Sequence, residues 1–296
     1  MGASSWILKL LAKQQYKKSI LMQSSAIKDQ NSTLKTILKM GEGSLFMKQL
    51  GVSRGLTYHK YSNRVPVTDY ESISPYITRI SNGEKNILTR GAPQYFAITS
   101  GTTSGTKYIP ITRESMMFQT QAIKELLLLY AHQSNNYSIS NVGMMFIQGS
   151  PELKYLNKMP YAKLSGIAAR HIPFFLKKNR YPSMKTNHIS DWSKKILKIV
   201  EETYNKDMRV IGGIPPWVIT YFEALLNYTN KKNVSEVFPN LKLYIHGGTS
   251  FDNYRESFLG FCGEIDTLEV YPASEGFFAY QNTLNEEGLL LLTNHG

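Results

Sequence analysis

From Ala92 onward the chain alternates short β-prone runs with helical stretches, and this alternation restricts the fold more than any other feature. Tyr95-Phe96-Ala97-Ile98 reads as a strand, followed by a Gly/Ser/Thr loop and a long amphipathic helix from about Thr112 to His132. Val142 to Ile147, Met208 to Ile211, Leu241 to Ile245 and Thr267 to Tyr271 read as further strands. Asp191 to Tyr204, a stretch opened by Pro215-Pro216 and ending near Asn227, and Tyr254 to Phe261 read as helices. Strands separated by helices build a parallel sheet with crossover connections, so the expected class is α/β. No segment recurs at a fixed period, which excludes a solenoid.

Up to Gly91 the pattern is mainly helical. Trp6, Ile7, Leu10, Leu11, Ile20 and Leu21 repeat at helical spacing with lysines between them. Asn31 or Ser32 offers an N-cap to a second helix through Leu34, Ile37 and Leu38, which Gly41 can end. Asp69 can cap another helix from Tyr70 to Ile80, in which Pro75 implies a kink or an earlier stop. The expected division is a helical segment over 1–91 packed on an α/β core over 92–296.

No run approaches the roughly 18 apolar residues of a membrane span. Trp6 stands where a myristoylation signal needs Ser or Thr. Lys9, Lys13, Lys17 and Lys18 interrupt any secretory apolar stretch. The single Cys262 excludes an internal disulfide framework and a cysteine zinc cluster, and it suggests a reducing, cytoplasmic setting. It lies at an apolar helix end with no base beside it and reads as packing. Lys+Arg 34 against Asp+Glu 22 leaves a net charge of +12, compatible with nucleic acid, a membrane surface or small anions. The pairs Lys17-Lys18, Lys177-Lys178, Lys194-Lys195 and Lys231-Lys232 read as solvated faces.

Ligands bind parallel sheets at the carboxyl ends of the strands, and three strand-to-helix turns here carry unusual residues. The first spans Thr99-Ser100-Gly101-Thr102-Thr103-Ser104-Gly105-Thr106-Lys107. Its glycines let backbone N–H groups turn inward, its hydroxyls add donors and Lys107 supplies a positive charge, which together make a cradle for phosphate oxygens. The Gly101–Gly105 spacing does not match a Walker A loop. The alternative is an ordinary hydroxyl-rich surface turn. The second turn is His246-Gly247-Gly248-Thr249-Ser250, whose paired glycines permit close approach of a flat ring or carboxylate. His246 reads as a packed or hydrogen-bonded histidine before it reads as a catalytic one. In the third, Tyr271-Pro272-Ala273-Ser274-Glu275-Gly276, Tyr271 offers an aromatic face, Ser274 a hydroxyl, and Glu275 a carboxylate able to hold Mg²⁺.

Thr99-Ser100-Gly101-Thr102-Thr103 with a downstream Lys resembles the phosphate-binding signature of the adenylate-forming superfamily. Val65-Pro66-Val67-Thr68-Asp69-Tyr70-Glu71, Pro75-Tyr76-Ile77-Thr78-Arg79-Ile80, Gly83-Glu84, Lys107-Tyr108-Ile109-Pro110 and Tyr271-Pro272-Ala273-Ser274-Glu275-Gly276 narrow this further. They resemble the auxin-responsive-promoter family of acyl-acid amido synthetases in its bacterial form, although Pro272 replaces the glycine common in the wider superfamily.

The resemblance implies the large domain of an adenylate-forming enzyme, with ATP and Mg²⁺ as cofactors and a small carboxylic acid and an amine or amino acid as partners. Neither nucleic acid nor membrane is implied. The implied phosphate site is Thr99, Ser100, Gly101, Thr102, Thr103, Ser104, Gly105 and Lys107. The implied adenine and acyl site is Gly247, Gly248, Thr249, Ser250, Tyr271 and Ser274, with Glu275 on Mg²⁺. Lys107 and Glu275 are the expected catalytic pair, and Tyr130, Met144 and Phe146 are candidates for the acyl pocket. The implied reaction is carboxylate activation to an acyl-adenylate, then amide formation. Because family members continue to a ribose-binding Asp and a mobile C-terminal domain, the chain is expected to be an N-terminal part with a truncated core, weakly active or inactive alone. The alternatives are an acyl-CoA ligase, an inactive fragment and a basic nucleic-acid-binding module.

Overall fold

The computed structural model describes residues 3–100, 105–137, 142–172 and 179–295. Its strands are β1 Tyr95–Ser100, β2 Thr106–Ile111, β3 Gly143–Phe146, β4 Lys154–Leu156, β5 Met159–Ala162, β6 Arg180–Tyr181, β7 Met208–Gly212, β8 Leu243–Gly247, β9 Asp266–Pro272, β10 Phe277–Tyr280 and β11 Leu290–Leu291. They form a seven-stranded sheet in the order β11-β10-β9-β8-β7-β3-β6 and a four-stranded sheet in the order β2-β1-β5-β4.

In the larger sheet β6, β3, β7, β8 and β9 run parallel, and β10 and β11 continue it antiparallel. The period of two along each parallel strand sends alternate side chains to opposite faces. Met144, Val210, Leu243 and Ile245 enter a core shared with helix Arg113–Gln133. Their neighbours Met145, Ile211 and Tyr244 enter a second core under helices Trp192–Thr203, Pro215–Thr229 and Asp252–Cys262. A sheet buried on both faces needs apolar residues at consecutive positions, which is why these strands read as continuous apolar runs. From β3 the chain passes to β6 on one side and returns to β7 on the other. This reversal is a topological switch point, and in open α/β sheets ligands bind outside the carboxyl ends of the strands at such a point.

Three expectations about local structure are corrected. First, the N-terminal stretch is one continuous helix, Ala3–Gly41, with no break at Asn31 or Ser32. Ser32 Oγ donates back to the Lys28 carbonyl instead of capping, and Gln30 and Thr33 both donate to the Thr293 carbonyl, so tertiary contacts carry the helix through. Second, helix Tyr70–Ser81 passes through Pro75 without stopping. Asp69 caps it by accepting the Ser72 N–H at 3.0 Å, Ile77 and Ile80 anchor it, and Pro75 lies on the exposed face.

Third, only one of the three expected strand-to-helix turns leads into a helix. His246–Ser250 is followed by helix Asp252–Cys262. The Thr99–Lys107 segment instead joins β1 to an antiparallel partner β2, and the Tyr271–Gly276 turn joins β9 to antiparallel β10. Strand β2 escapes the sequence pattern because Pro110 and two hydroxyl-bearing neighbours of the loop mask a short run that sits at a sheet edge, where proline is tolerated.

Candidate functional site

The parallel pairing of β8 with β9 sets Gly247 opposite Val270, so the two turns that follow, Gly248–Ser250 and Tyr271–Gly276, emerge side by side. Gly247 is fixed by this pairing, since a Cβ there would collide with the Val270 carbonyl. Gly248 has φ +82, the left-handed region that glycine adopts without penalty. Gly248, Thr249 and Ser250 are exposed. Ser250 Oγ donates to Asp252 at 3.1 Å and accepts the Asp252 N–H at 3.3 Å, which ties the turn to the start of the next helix.

Tyr271 is 56% exposed and rests against Phe278 at 5.6 Å between ring centroids. Ala273 and Gly276 exchange backbone hydrogen bonds at 2.8 and 3.3 Å, so Ser274 and Glu275 form the tip of a tight turn. The Ala273 carbonyl also accepts from Gln119 Nε2 at 2.8 Å. Gln119 is buried on helix Arg113–Gln133, which begins directly after β2 with Thr112 as its cap. That helix therefore joins the hairpin carrying Lys107 to the turn carrying Glu275.

In the β1–β2 hairpin Thr99 pairs with Lys107 and Ser100 with Thr106. Gly105 has φ +75. Gly101, Thr102, Thr103 and Ser104 lie outside the described residues. Lys107 Nζ lies 5.6 Å from the centre of the Tyr70 ring. The structure thus brings the Gly247–Ser250 and Tyr271–Glu275 residues together, and it sets the hairpin on the other sheet, tied to them through Gln119.

His246 is buried between Tyr244 and Phe251, with ring centroids at 5.2 and 4.5 Å. Burial holds its imidazole down at about 4, so it is neutral near pH 7 and packs as the sequence indicated. Cys262 is buried and pushed up to about 12 by desolvation, the behaviour of a packing thiol. Tyr130 and Met144 are corrected as acyl-pocket candidates, because both lie in the core and the Tyr130 hydroxyl donates to Asp266 at 2.9 Å. Phe146 is covered by the Arg180 guanidinium at 4.5 Å.

Lys195 also departs from expectation. It is 2% exposed rather than solvated, and its ammonium donates to the carbonyls of Gln148 at 2.8 Å and Asn187 at 3.1 Å. Burial lowers it to about 8. Gln148 lies just beyond β3, so this cation braces the loop at the switch point. The signal was legible in principle, because Lys195 falls in the stripe of Trp192, Ile196, Ile199 and Val200 on one helix face. Lys177 and Lys178 lie outside the described residues.

The donor set suits magnesium. Among the described residues no three His, Cys, Asp or Glu side chains cluster into a cage. Glu275 is an exposed carboxylate with no ion pair there, and Mg²⁺ binds through one or two carboxylates while keeping its waters and phosphate ligands. The Tyr271 ring, exposed and backed by Phe278, suits a flat base.

Several known proteins share parts of this chain. Jasmonoyl–L-amino acid synthetase JAR6 of Nicotiana attenuata is 29% identical over 136 residues, covering 45% of this chain and 23% of that protein. Indole-3-acetic acid-amido synthetase GH3.10 of Arabidopsis thaliana is 30% identical over 146 residues, covering 46% and 24%. The aligned part thus spans about a quarter of these relatives' length. The solved GH3.15 acyl acid amido synthetase in complex with 2,4-DB superposes with a TM-score of 0.75 at 14% identity, over 93% of this chain and 58% of that one. A 2-hydroxyisobutyryl-CoA ligase bound to its acyl-AMP and CoA superposes with a TM-score of 0.56 at 12% identity, over 88% and 57%. Both share the mixed α/β fold, and no described helix is long and apolar enough to cross a membrane. The family model described as GH3 family N-terminal domain matches residues 15–200, more than half of the sequence, and the chain therefore belongs to the GH3 family, the one its motifs resemble.

Proposed function

We propose that this chain carries the carboxylate-activating site of an acyl-acid amido synthetase, which joins a small carboxylic acid to an amino acid through an acyl-adenylate. The observation that carries the reading is the pairing of β8 with β9, which sets the Gly247–Ser250 turn beside Tyr271–Glu275 at the carboxyl edge of the sheet. The names of relatives point the same way, as amido synthetases that use jasmonic or indole-3-acetic acid. In this reading 1–91 is a helical segment packed on an adenylating core over 92–296, working in the cytoplasm.

Each group would act by position. Tyr271 would stack on the adenine, and the backbone of Gly247 and Gly248 with Thr249, Ser250 and Ser274 would border the adenine and the acid. Thr99, Ser100, the 101–105 segment and Lys107 would hold the phosphates. Glu275 would hold Mg²⁺, whose charge offsets that of the phosphates. The carboxylate attacks the α-phosphorus and pyrophosphate leaves, so no protein nucleophile is needed. The protein contributes by aligning the two reactants and by presenting fixed positive charge where negative charge shifts onto pyrophosphate.

The test is acid-dependent exchange of pyrophosphate into ATP, alongside calorimetric titration of MgATP into the chain. Lys107→Met and Glu275→Gln are each expected to reduce exchange by about 10²–10³-fold, the usual effect of removing a preorganised charge or donor. Exchange and MgATP binding unchanged in both variants would sink the assignment.

A further inference from the structure

Lys107 extends from the edge strand of the smaller sheet, next to a glycine-rich loop, where a long flexible side chain has many rotamers open to it. Two neighbouring residues limit that freedom. Its ammonium lies 5.6 Å from the centre of the Tyr70 ring, within the range of a cation–π contact. Asp69, the residue before, adds a carboxylate attracted to the same ammonium. Asp69 is held in place by the Ser72 N–H at 3.0 Å and the Ser72 hydroxyl at 2.7 Å, which also start the helix Tyr70–Ser81.

Tyr70 contacts the strand as well as its side chain. As the edge strand, β2 turns the Tyr108 N–H to its open side, and the Tyr70 hydroxyl accepts that N–H at 2.8 Å. The Tyr108 ring in turn packs edge-on against Phe96 at 5.9 Å and Tyr161 at 5.4 Å. One tyrosine therefore fixes the backbone beside Lys107 with its hydroxyl and carries the ammonium on its ring. A residue needed only for packing would need neither contact.

We propose that Tyr70 is the positioning residue for Lys107, holding its ammonium toward the phosphates of the nucleotide. The inference rests on the phosphate role assigned to Lys107 above. It also gives a purpose to the Asp69-Tyr70 pair of the N-terminal motif, which lies on a different element from every residue of the candidate site.

A double-mutant cycle on the full chain tests it, read as MgATP affinity by calorimetry. Tyr70→Leu is expected to weaken binding about tenfold, and Tyr70→Phe, which keeps the ring, by about threefold or less. In a Lys107→Met background Tyr70→Leu is expected to cost nothing further, because the group it positions is gone. Equal losses in both backgrounds would overturn the proposal, since a merely structural defect is independent of Lys107.

A ligand-free readout separates this inference from the functional reading. The rate at which Lys107 is acetylated by an N-hydroxysuccinimide ester, followed by mass spectrometry, is expected to rise several-fold in Tyr70→Leu, and an unchanged rate overturns the proposal. If Lys107→Met binds MgATP as well as the parent chain, the phosphate role falls and the proposal falls with it, whatever the labelling reports. Should Tyr70→Leu fail to fold, Tyr70→Phe must still speed hydrogen exchange at the Tyr108 amide about tenfold or more, and unchanged protection there counts against the proposal.

Discussion

His246 is the residue whose surroundings most directly dictate its behaviour. It is 4% exposed and held at about 4, well below its ordinary 6.5, because burial penalises the imidazolium. As pH falls below 6.5 the unfolded chain takes up this proton before the folded one does. The contribution to stability is therefore complete above about 6.5 and is lost as pH falls toward 4, by an amount on the order of 3 kcal/mol. His246→Phe, which suits the aromatic site and leaves no unpaired ring nitrogen, is expected to lack this component. Denaturant unfolding of both proteins between pH 7 and 4 would show the difference as a gap that widens with acid, and parallel curves would refute it. The packed role of His246 was readable from its position beside a strand end. Lys195 was missed although its signal was present, because a lysine pair in a helix usually faces water and only the phase of Ile196, Ile199 and Val200 around the helix marks it as buried.

At the scale of elements, helix Arg113–Gln133 transmits order from one sheet to the other. It is capped by Thr112, which accepts the Ser115 N–H at 3.1 Å while Ser115 Oγ accepts the Thr112 N–H at 3.0 Å. Gln119 then fixes the Ala273 carbonyl of the turn that bears Glu275. Gln119→Leu removes that donor and leaves the Gly276 N–H as the partner of this carbonyl. The expected cost is about 1 kcal/mol in global stability, together with faster hydrogen exchange at Gly276 and no change at Gly213. Uniform exchange across both sites would show that the turn is held by other means. Periodicity revealed this helix because its signal is local. It could not reveal β2, whose strand character comes from pairing with β1 across a loop, nor the continuity of Ala3–Gly41 past Ser32. That continuity depends on Gln30 and Thr33 reaching Thr293, far along the chain.

Over the whole molecule, Glu125 joins three distant parts of the sequence. It is 1% exposed on helix Arg113–Gln133, accepts from Lys18 of the N-terminal helix at 2.7 Å and from Gln121 at 2.9 Å, and lies 3.9 Å from His295. Removing Lys18 strands a buried carboxylate, so Lys18→Met is expected to lower stability by about 3 kcal/mol, with thermal unfolding as the measurement. Adding Glu125→Gln removes the stranded charge and should restore much of the loss. A double variant no better than the single would mean the lysine acts through packing alone. By itself the sequence determined the α/β class, five of the eleven described strands, the longer helices, and the Thr99–Lys107, Gly247–Ser250 and Tyr271–Glu275 segments as the candidate site, because periodicity, capping and motif composition act over a few residues. Only the tertiary structure decided that two of those segments turn between antiparallel strands, that Gln119 ties the Glu275 turn to the helix following Lys107, and that Tyr70 lies under Lys107. Those relations depend on strand order and long-range packing, and the spacing of residues along the chain does not encode them.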